Sequence, residues 1–325
     1  MKAIDKKLVR DLWALRMQVL AIALVIVGGV GIFIMSLSTL DSLFETRETY
    51  YRDHHFAQIF ASLKRAPLSL VKRIETIRGV DKVETRVVAY VNLDIEGFDD
   101  PVSGHLISLP DHSRGLLNQI FLRQGALFEP GRDNEVILSE EFANAHQLQS
   151  GNRLRATING RSKSLAVSGT ALSPEYIYKS APGASFPDSL RYGVPGAGRQ
   201  PAPSAYYMDG AFNDVTLTRV DGAHEQNVID RLDELLKPYG GVGAYPRKDQ
   251  LSNRFLSEEL SQQKTIATVF PIIFFGVAAF LLNVVMSRMI SLEREQIAAL
   301  KAFGYSNFAI GWHYIKLVLI IVSIG

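Results

Sequence analysis

The histidine and carboxylate pairs are the side chains of this sequence best suited to chemistry, but their members are adjacent in the chain. His54 and His55 follow Asp53, and Glu140 precedes Glu141. Adjacent side chains point apart, so neither pair is held at the separation that a shared metal ion or an acid–base couple requires. The chain has no cysteine, which excludes thiol catalysis, disulfides and thiolate metal sites. We therefore predict that this protein is not an enzyme, has no catalytic residues and binds no metal.

Phosphate-binding and nucleic-acid-binding patterns are also missing. Gly193, Gly196 and Gly198 have the wrong spacing for a phosphate loop, and no lysine-containing loop of that kind occurs. The 35 basic and 33 acidic residues leave a net charge of only +2, which argues against a nucleic-acid partner. We expect no cofactor bound by this chain and no nucleic acid.

A short polar segment between two apolar stretches is the most informative part of the chain. Strong helix formers fill residues 292–303, and Ile297, Leu300 and Gly304 lie on one side at helical spacing. Gly304 is placed to end this helix in a left-handed conformation, and Ser306 is placed to cap a second helix. The pattern predicts a polar helix, a tight turn and another helix, a form suited to pressing on a partner at a membrane surface.

The apolar stretches predict a membrane protein. Two uncharged runs are long enough to cross a bilayer as helices, and a third begins near the end of the sequence. Basic residues before the first run and after the second place both of those flanks in the cytoplasm. A cleaved signal peptide is the rival interpretation of the first run, but the run is too long and lacks a small-residue cleavage site. The predicted segments are 1–16 (cytoplasmic N-terminus), 17–40 (first span), 41–264 (extracytoplasmic domain), 265–287 (second span), 288–312 (cytoplasmic helix region) and 313–325 (start of a third span, with further chain expected after it).

The predicted extracytoplasmic domain contains a strand–helix–strand pattern twice. Residues 57–63, 67–78 and 83–95 form the first copy, and residues 214–220, 223–237 and 242–245 form the second. Two such units indicate a split, ferredoxin-like α+β part made of residues 41–97 and 208–247. Residues 98–207 read as a β-rich insertion that ends in a long irregular loop over 180–204, with a turn at 129–132 and a hairpin around Asn159-Gly160. Residues 248–264 are predicted to form a stalk helix.

Two stretches resemble the permease subunits of FtsX-like and MacB-like ABC transporters. Residues 294–306 read Arg-Glu-Gln-Ile-Ala-Ala-Leu-Lys-Ala-Phe-Gly-Tyr-Ser, which is similar to the cytoplasmic motif of the family. Residues 134–143, followed by 148–152, are similar to the strand, short helix and turn of its extracytoplasmic core. One departure is that Gln296 stands where the motif usually has glutamate, while Glu295 comes one position early.

The resemblance implies an α+β membrane protein whose transmembrane helices flank an extracytoplasmic domain with a porter-type part. It implies a coupling helix that binds a separate nucleotide-binding subunit, and that subunit would hold the ATP and magnesium. It also implies a second permease subunit, a place in the bacterial inner membrane, and a periplasmic partner protein or a lipid, lipoprotein or peptide substrate. The residues carried over as the ATPase-binding site are Arg294, Glu295, Gln296, Ile297, Leu300, Lys301 and Gly304.

Three classes of function remain open from the residues. The first is a permease that exports or extracts a substrate or transmits mechanical motion. The second is a two-span sensor receptor with an extracytoplasmic ligand-binding domain, which would continue after the second span into a long signalling helix. The third is a membrane-anchored scaffold, which would not need a specific helix–turn–helix between spans. The return to apolar sequence at Leu317 favours the permease.

Overall fold

A computed structural model describes residues 3–109, 116–128, 134–184, 186–198 and 206–324. The chain forms two compact units. The helical unit comprises Met1–Glu45 and Glu259–Gly325, and the sheet unit comprises Thr46–Glu258. The predicted turn at 129–132 lies outside the described residues.

The helices number eight in the described part of the chain when single 3-10 turns are left aside. They are α1 (Ala3–Ala14), α2 (Arg16–Asp53), α3 (Val71–Glu75), α4 (Glu140–Ala145), α5 (Glu225–Leu236), α6 (Leu251–Leu292), α7 (Arg294–Ala302) and α8 (Asn307–Ile324). By length and composition, α2, α6 and α8 could each cross a membrane. The third apolar helix therefore begins at Asn307, inside the segment 288–312 that the sequence assigned to the cytoplasmic region. The predicted stalk helix 248–264 is continuous with the second apolar helix, because α6 runs without interruption from Leu251 to Leu292.

Four strands form the smaller sheet. They are β1 (Ile59–Pro67), β2 (Val80–Arg86), β11 (Ala211–Arg219) and β12 (Ala244–Pro246). Their order in the sheet is β12-β1-β11-β2, with all neighbours antiparallel. Helix α3 joins β1 to β2, and α5 joins β11 to β12. This connectivity and strand order are those of a ferredoxin-like split βαβ fold, as the repeated pattern predicts.

The core of this ferredoxin-like part explains why its helices form. Helix α5 places Val228, Ile229, Leu232 and Leu236 on one face, and all four are buried against the sheet. Full burial of an aliphatic side chain of this size stabilises the fold by about 1.5–3 kcal/mol. Helix α3 contributes only Ile74 to the fully buried set, and the predicted helix over 67–78 shortens to a 3-10 turn followed by α3.

The remaining strands form the larger sheet. They are β3 (Val88–Asp94), β4 (Val102–Leu109), β5 (Phe121–Gly125), β6 (Glu135–Ser139), β7 (Arg153–Ile158), β8 (Arg161–Leu172), β9 (Tyr192–Gly193) and β10 (Gly196–Gly198). The order β10-β6-β8-β7-β3-β4 closes on itself, because β10 pairs with both β6 and β4. Inward-facing aliphatic residues of these strands and Phe142 of α4 fill the interior. The ring of strands therefore encloses a packed core rather than a channel.

Two predictions about this part need correction. The predicted single strand 83–95 is two strands, because the chain leaves the smaller sheet after Arg86 and enters the larger one at Val88. The β-rich insertion thus begins at Val88 rather than at residue 98. The predicted irregular loop 180–204 contains β9 and β10, which complete the ring of strands.

A tight packing contact explains one glycine of that loop. A Cβ placed on Gly193 would lie 2.7 Å from the Phe142 ring, closer than real contacts allow. A glycine is therefore required at position 193 of β9 for packing against Phe142. This packing explains Gly193 without any role in a phosphate loop. The hairpin predicted around Asn159-Gly160 is confirmed, since β7 and β8 pair across it and both turn residues have positive φ, 50° and 74°.

Candidate functional site

Helix α7 ends at the glycine where the sequence predicts its termination. It spans Arg294–Ala302, and Gly304 follows it at φ 84°. The amide of Tyr305 donates to the Leu300 carbonyl at 3.1 Å, and the amide of Gly304 donates to the Lys301 carbonyl at 3.0 Å. This pair of hydrogen bonds is a Schellman motif, which requires a left-handed residue that glycine adopts without steric penalty. The predicted termination at Gly304 is confirmed.

The next helix starts at a side-chain cap. The Ser306 hydroxyl accepts a hydrogen bond from the Ala309 amide at 3.2 Å, which satisfies one of the free donors at the start of α8. The chain thus turns within four residues, from Phe303 to Ser306, between a nine-residue polar helix and an 18-residue apolar one. A short and conformationally restricted turn therefore connects α7 to α8.

The apolar side chains of α7 pack against the core of the chain's own helical unit. Ile297 and Leu300 are half-buried and pack against the helical unit's core of α1, α2, α6 and α8 residues. Tyr305 packs there as well. The amphipathic stripe that the sequence shows is real, but it attaches α7 to its own unit.

The opposite face of α7 is exposed. It presents Glu295, Ala298, Ala299 and Ala302, with no large side chain among them. Phe303, directly after the helix, is 83% exposed. Small side chains allow another backbone to approach closely, and an exposed aromatic beside them is a typical interface anchor. The predicted site residues Arg294, Gln296 and Lys301 are also exposed.

A cluster of polar side chains holds the start of α7 in place. The Lys7 ammonium lies 2.7 Å from both Asp11 Oδ2 and Glu293 Oε2. The Tyr314 hydroxyl donates to the same Glu293 oxygen at 3.0 Å, and His313 Nε2 lies 3.3 Å from Asp11 Oδ2. His313 is 4% exposed. We call these five residues the polar clamp.

The polar clamp joins three helices at the point where α6 ends. Lys7 and Asp11 lie on α1, His313 and Tyr314 lie on α8, and Glu293 is the single residue between α6 and α7. Partly buried, charge-assisted hydrogen bonds are stronger and more directional than exposed ones. The N-terminal helix α1 therefore lies at the same end of the helical unit as α7 and restrains Glu293, the residue directly before it.

Sequence reasoning missed most of the polar clamp. The spacing of Lys7 and Asp11, four residues apart on a helix, is a recognisable sign of an ion pair. Nothing in the sequence links that pair to Glu293 or to Tyr314, which are about 290 residues further along the chain. The structure brings the clamp and the predicted site residues together at α7. In the described residues, no three histidines, aspartates or glutamates are grouped so as to hold a metal ion.

One comparison with known proteins matches the region that contains α7. The sequence model of the family described as FtsX-like permease C-terminal matches residues 268–325, which include all seven predicted site residues. The chain is similar to the FtsX-like permeases. The resemblance predicted from the sequence is confirmed, and the family match supports an ABC-type permease that resides in a membrane.

Three solved structures of transporter or permease domains show some similarity to this chain. The periplasmic region of MacB from Actinobacillus actinomycetemcomitans has 11% identity and a TM-score of 0.39, covering 60% of this chain and 91% of that one. The extracellular domain of the noncanonic ABC-type transporter YknZ from Gram-positive bacteria has 10% identity and a TM-score of 0.36, covering 58% and 98%. A domain of a putative permease protein from Porphyromonas gingivalis has 13% identity and a TM-score of 0.36, covering 62% and 97%.

No curated protein matches the chain. The family similarity lies in residues 268–325, which contain α7 and the Glu293, His313 and Tyr314 members of the polar clamp.

Proposed function

We propose that this chain is the permease subunit of an ABC transporter and that α7 couples it to a separate ATPase subunit. The observation that carries the proposal is the fixation of α7 at both ends. The polar clamp holds its first turn through Glu293, and the Schellman turn holds its last. A short polar helix fixed in this way moves as one piece with the two long apolar helices beside it.

Coupling needs this rigidity because a flexible link would absorb the motion of the partner. A push on the exposed face of α7 acts on α6 through the single residue Glu293, and on α8 through the Gly304 turn and Tyr314. Since ATP and magnesium would be held by the partner, this chain would contribute mechanical transmission and no chemistry. A sensor receptor is less well supported, because α6 ends at Leu292 instead of continuing as a signalling helix.

The remaining parts of the assignment follow from this role. The N-terminal residues and α7 would lie in the cytoplasm, residues 41–264 would lie outside it, and the membrane would be the bacterial inner membrane. A second permease subunit would complete the transporter. The cargo would be a lipid, a lipoprotein or a peptide, or the chain would move only a periplasmic partner protein.

The exposed face of α7 offers a sharper test than its buried stripe. Ile297→Asp would put a charge into the chain's own core, so loss of a partner there would have two explanations. Phe303→Asp changes an exposed side chain and should leave the fold intact. We expect tagged full-length protein, purified in mild detergent from its native cells, to bring an ABC ATPase with it, and Phe303→Asp to reduce the recovered ATPase at least tenfold.

A matched control is available in the sheet unit. Phe186 is 79% exposed, so Phe186→Asp makes the same chemical change in a different unit of the chain. The control should recover the ATPase as the wild type does. Equal recovery by Phe303→Asp and wild type, or no ATPase with either, would refute α7 as the coupling element.

A further inference from the structure

An open cleft in the sheet unit brings together four cationic side chains. Its volume is about 290 Å³. Lys82 of β2, Arg219 at the end of β11 and Arg247 after β12 line it, together with Arg52 in the last turn of α2. These residues come from four separate elements, so the fold and not a local charge run brings them together.

Arg247 is held in the cleft by neutral groups. Its Nε donates to the Ala57 carbonyl at 2.7 Å, and another of its nitrogens donates to the Phe56 carbonyl. The guanidinium lies over the rings of Tyr51 and Phe56, at 5.6 and 4.9 Å from their centroids. No carboxylate within the described residues forms an ion pair with it. Burial lowers the pKa of Arg247, and this effect outweighs the opposing contributions of Tyr51 and Glu48.

Arg219 also has donor capacity left over. One terminal nitrogen donates to the Ala223 carbonyl at 2.6 Å, and the other lies 3.7 Å from Glu225. Its Nε is buried without a hydrogen-bond partner in the part of the chain that the structure describes, and so is the Tyr51 hydroxyl. A buried donor without a partner costs free energy.

The carboxylates that line the cleft are fewer than its cations. Glu48 pairs with Arg47 at 2.7 Å, and Asp81 accepts a hydrogen bond from the Thr218 hydroxyl at 3.2 Å. Arg52 lies 3.6 Å from Asp53, in an exposed ion pair that is weak. For Lys82, the described residues contain no ion-pair partner. Four cations and two carboxylates thus line the cleft, and both carboxylates have partners already.

We propose that this cleft binds a phosphate group. A phosphate offers several oxygen acceptors on a compact anion, which suits guanidinium and ammonium donors that converge from different elements. The group has two sources, a free phosphate compound or the headgroup of a phospholipid. Tyr51 and Arg52 lie in α2, one of the helices long and apolar enough to cross a membrane, which makes the headgroup a source to test directly.

The test uses the full-length chain in detergent with two probes. Titration calorimetry with inorganic phosphate at low ionic strength measures binding of the free anion. Native mass spectrometry compares retention of phosphatidylglycerol with retention of diacylglycerol, which has no phosphate. Saturable phosphate binding without preference for the phospholipid identifies a free phosphate compound, and preferential retention of phosphatidylglycerol identifies a headgroup.

Variants connect either result to the cleft. Arg219→Gln and Lys82→Gln should each weaken binding of the retained probe about tenfold, since hydrogen bonds to charged groups are the strong ones. Lys82 is exposed, so its variant keeps the test valid if Arg219→Gln fails to fold. Arg155→Gln is the matched control, because Arg155 is exposed on β7 and pairs with Asp94 at 3.7 Å away from the cleft. The proposal is overturned if neither probe binds saturably, or if both cleft variants bind as tightly as Arg155→Gln.

Discussion

Glu293 is the residue through which the polar clamp reaches α7, so Glu293→Gln is the most informative single change. The substitution keeps the size of the side chain and removes its charge. Breaking a buried ion pair costs about 3–5 kcal/mol when the remaining charge is left alone. Lys7 would still have Asp11 at 2.7 Å, so we expect a smaller loss of about 2 kcal/mol in the free energy that holds α1 against α7 and α8.

Hydrogen exchange of the α1 amides in the full-length protein measures this loss. A drop of about 2 kcal/mol in the opening free energy speeds exchange roughly 30-fold where exchange requires α1 to detach. Lys7→Met should produce a similar change, and the double variant should be less affected than the sum of the two, with a coupling of about 1–2 kcal/mol. Glu295→Gln removes a charge from the exposed face of the same helix and should leave α1 exchange unchanged.

The proposed role of Glu293 in holding α1 is refuted if Glu293→Gln leaves α1 exchange within twofold of the wild type, or if the two single changes are additive. Either result would mean that the distances from Glu293 to Lys7 and to Tyr314 carry no coupling. If the clamp transmits motion as proposed, Glu293→Gln should also lower ATPase stimulation while the complex with the ATPase still forms.

Three further predictions test topology, the turn and the sheet unit. Because this chain has no cysteine, single introduced cysteines report on topology. Ser164→Cys should react with a membrane-impermeant thiol reagent in whole cells, and Ser306→Cys should react only after lysis. The reverse pattern would show that the topology is inverted. Gly304→Ala should destabilise the helical unit by about 1–2 kcal/mol because φ is 84° there, whereas Gly311→Ala, inside α8, should stabilise it by about 0.5–1 kcal/mol; equal melting shifts would contradict this. Burial lowers the pKa of His105 from 6.5 to about 4, with a smaller contribution from a nearby guanidinium. The neutral form is therefore favoured on folding, and stability falls by about 3 kcal/mol as pH drops from 6.5 toward 4. His105→Gln should remove that share of the pH dependence in denaturant titrations.

Local chemistry explains which elements the sequence predicts well. The Gly304 turn and the Ser306 cap are confirmed because capping depends on residues within a few positions of the helix end. The three apolar helices follow from composition and length. The ferredoxin-like part is also predictable, since each strand and helix has its own periodicity and the pattern occurs twice.

Strand pairing over long distances was not predictable in the same way. A continuous run of β-forming residues from 83 to 95 does not reveal that the chain changes sheet at Val87. Strands β9 and β10 are two and three residues long and contain glycine, so they have no recognisable strand pattern. They form because neighbouring strands supply hydrogen bonds, and Gly193 is glycine because Phe142 leaves no room for a side chain there.

The candidate site also has properties that the sequence predicts and contacts that it does not. A helix over residues 294–302 with one apolar stripe and a glycine stop can be predicted from the sequence, because those properties come from neighbouring residues. That Ile297 and Leu300 pack against the chain's own helices is visible only in the folded chain, since periodicity identifies a buried face but not the part of the protein that covers it. The tertiary structure also decides that Lys7 and Tyr314 meet at Glu293, because that contact depends on how three helices pack, and packing brings together residues that lie far apart in the chain.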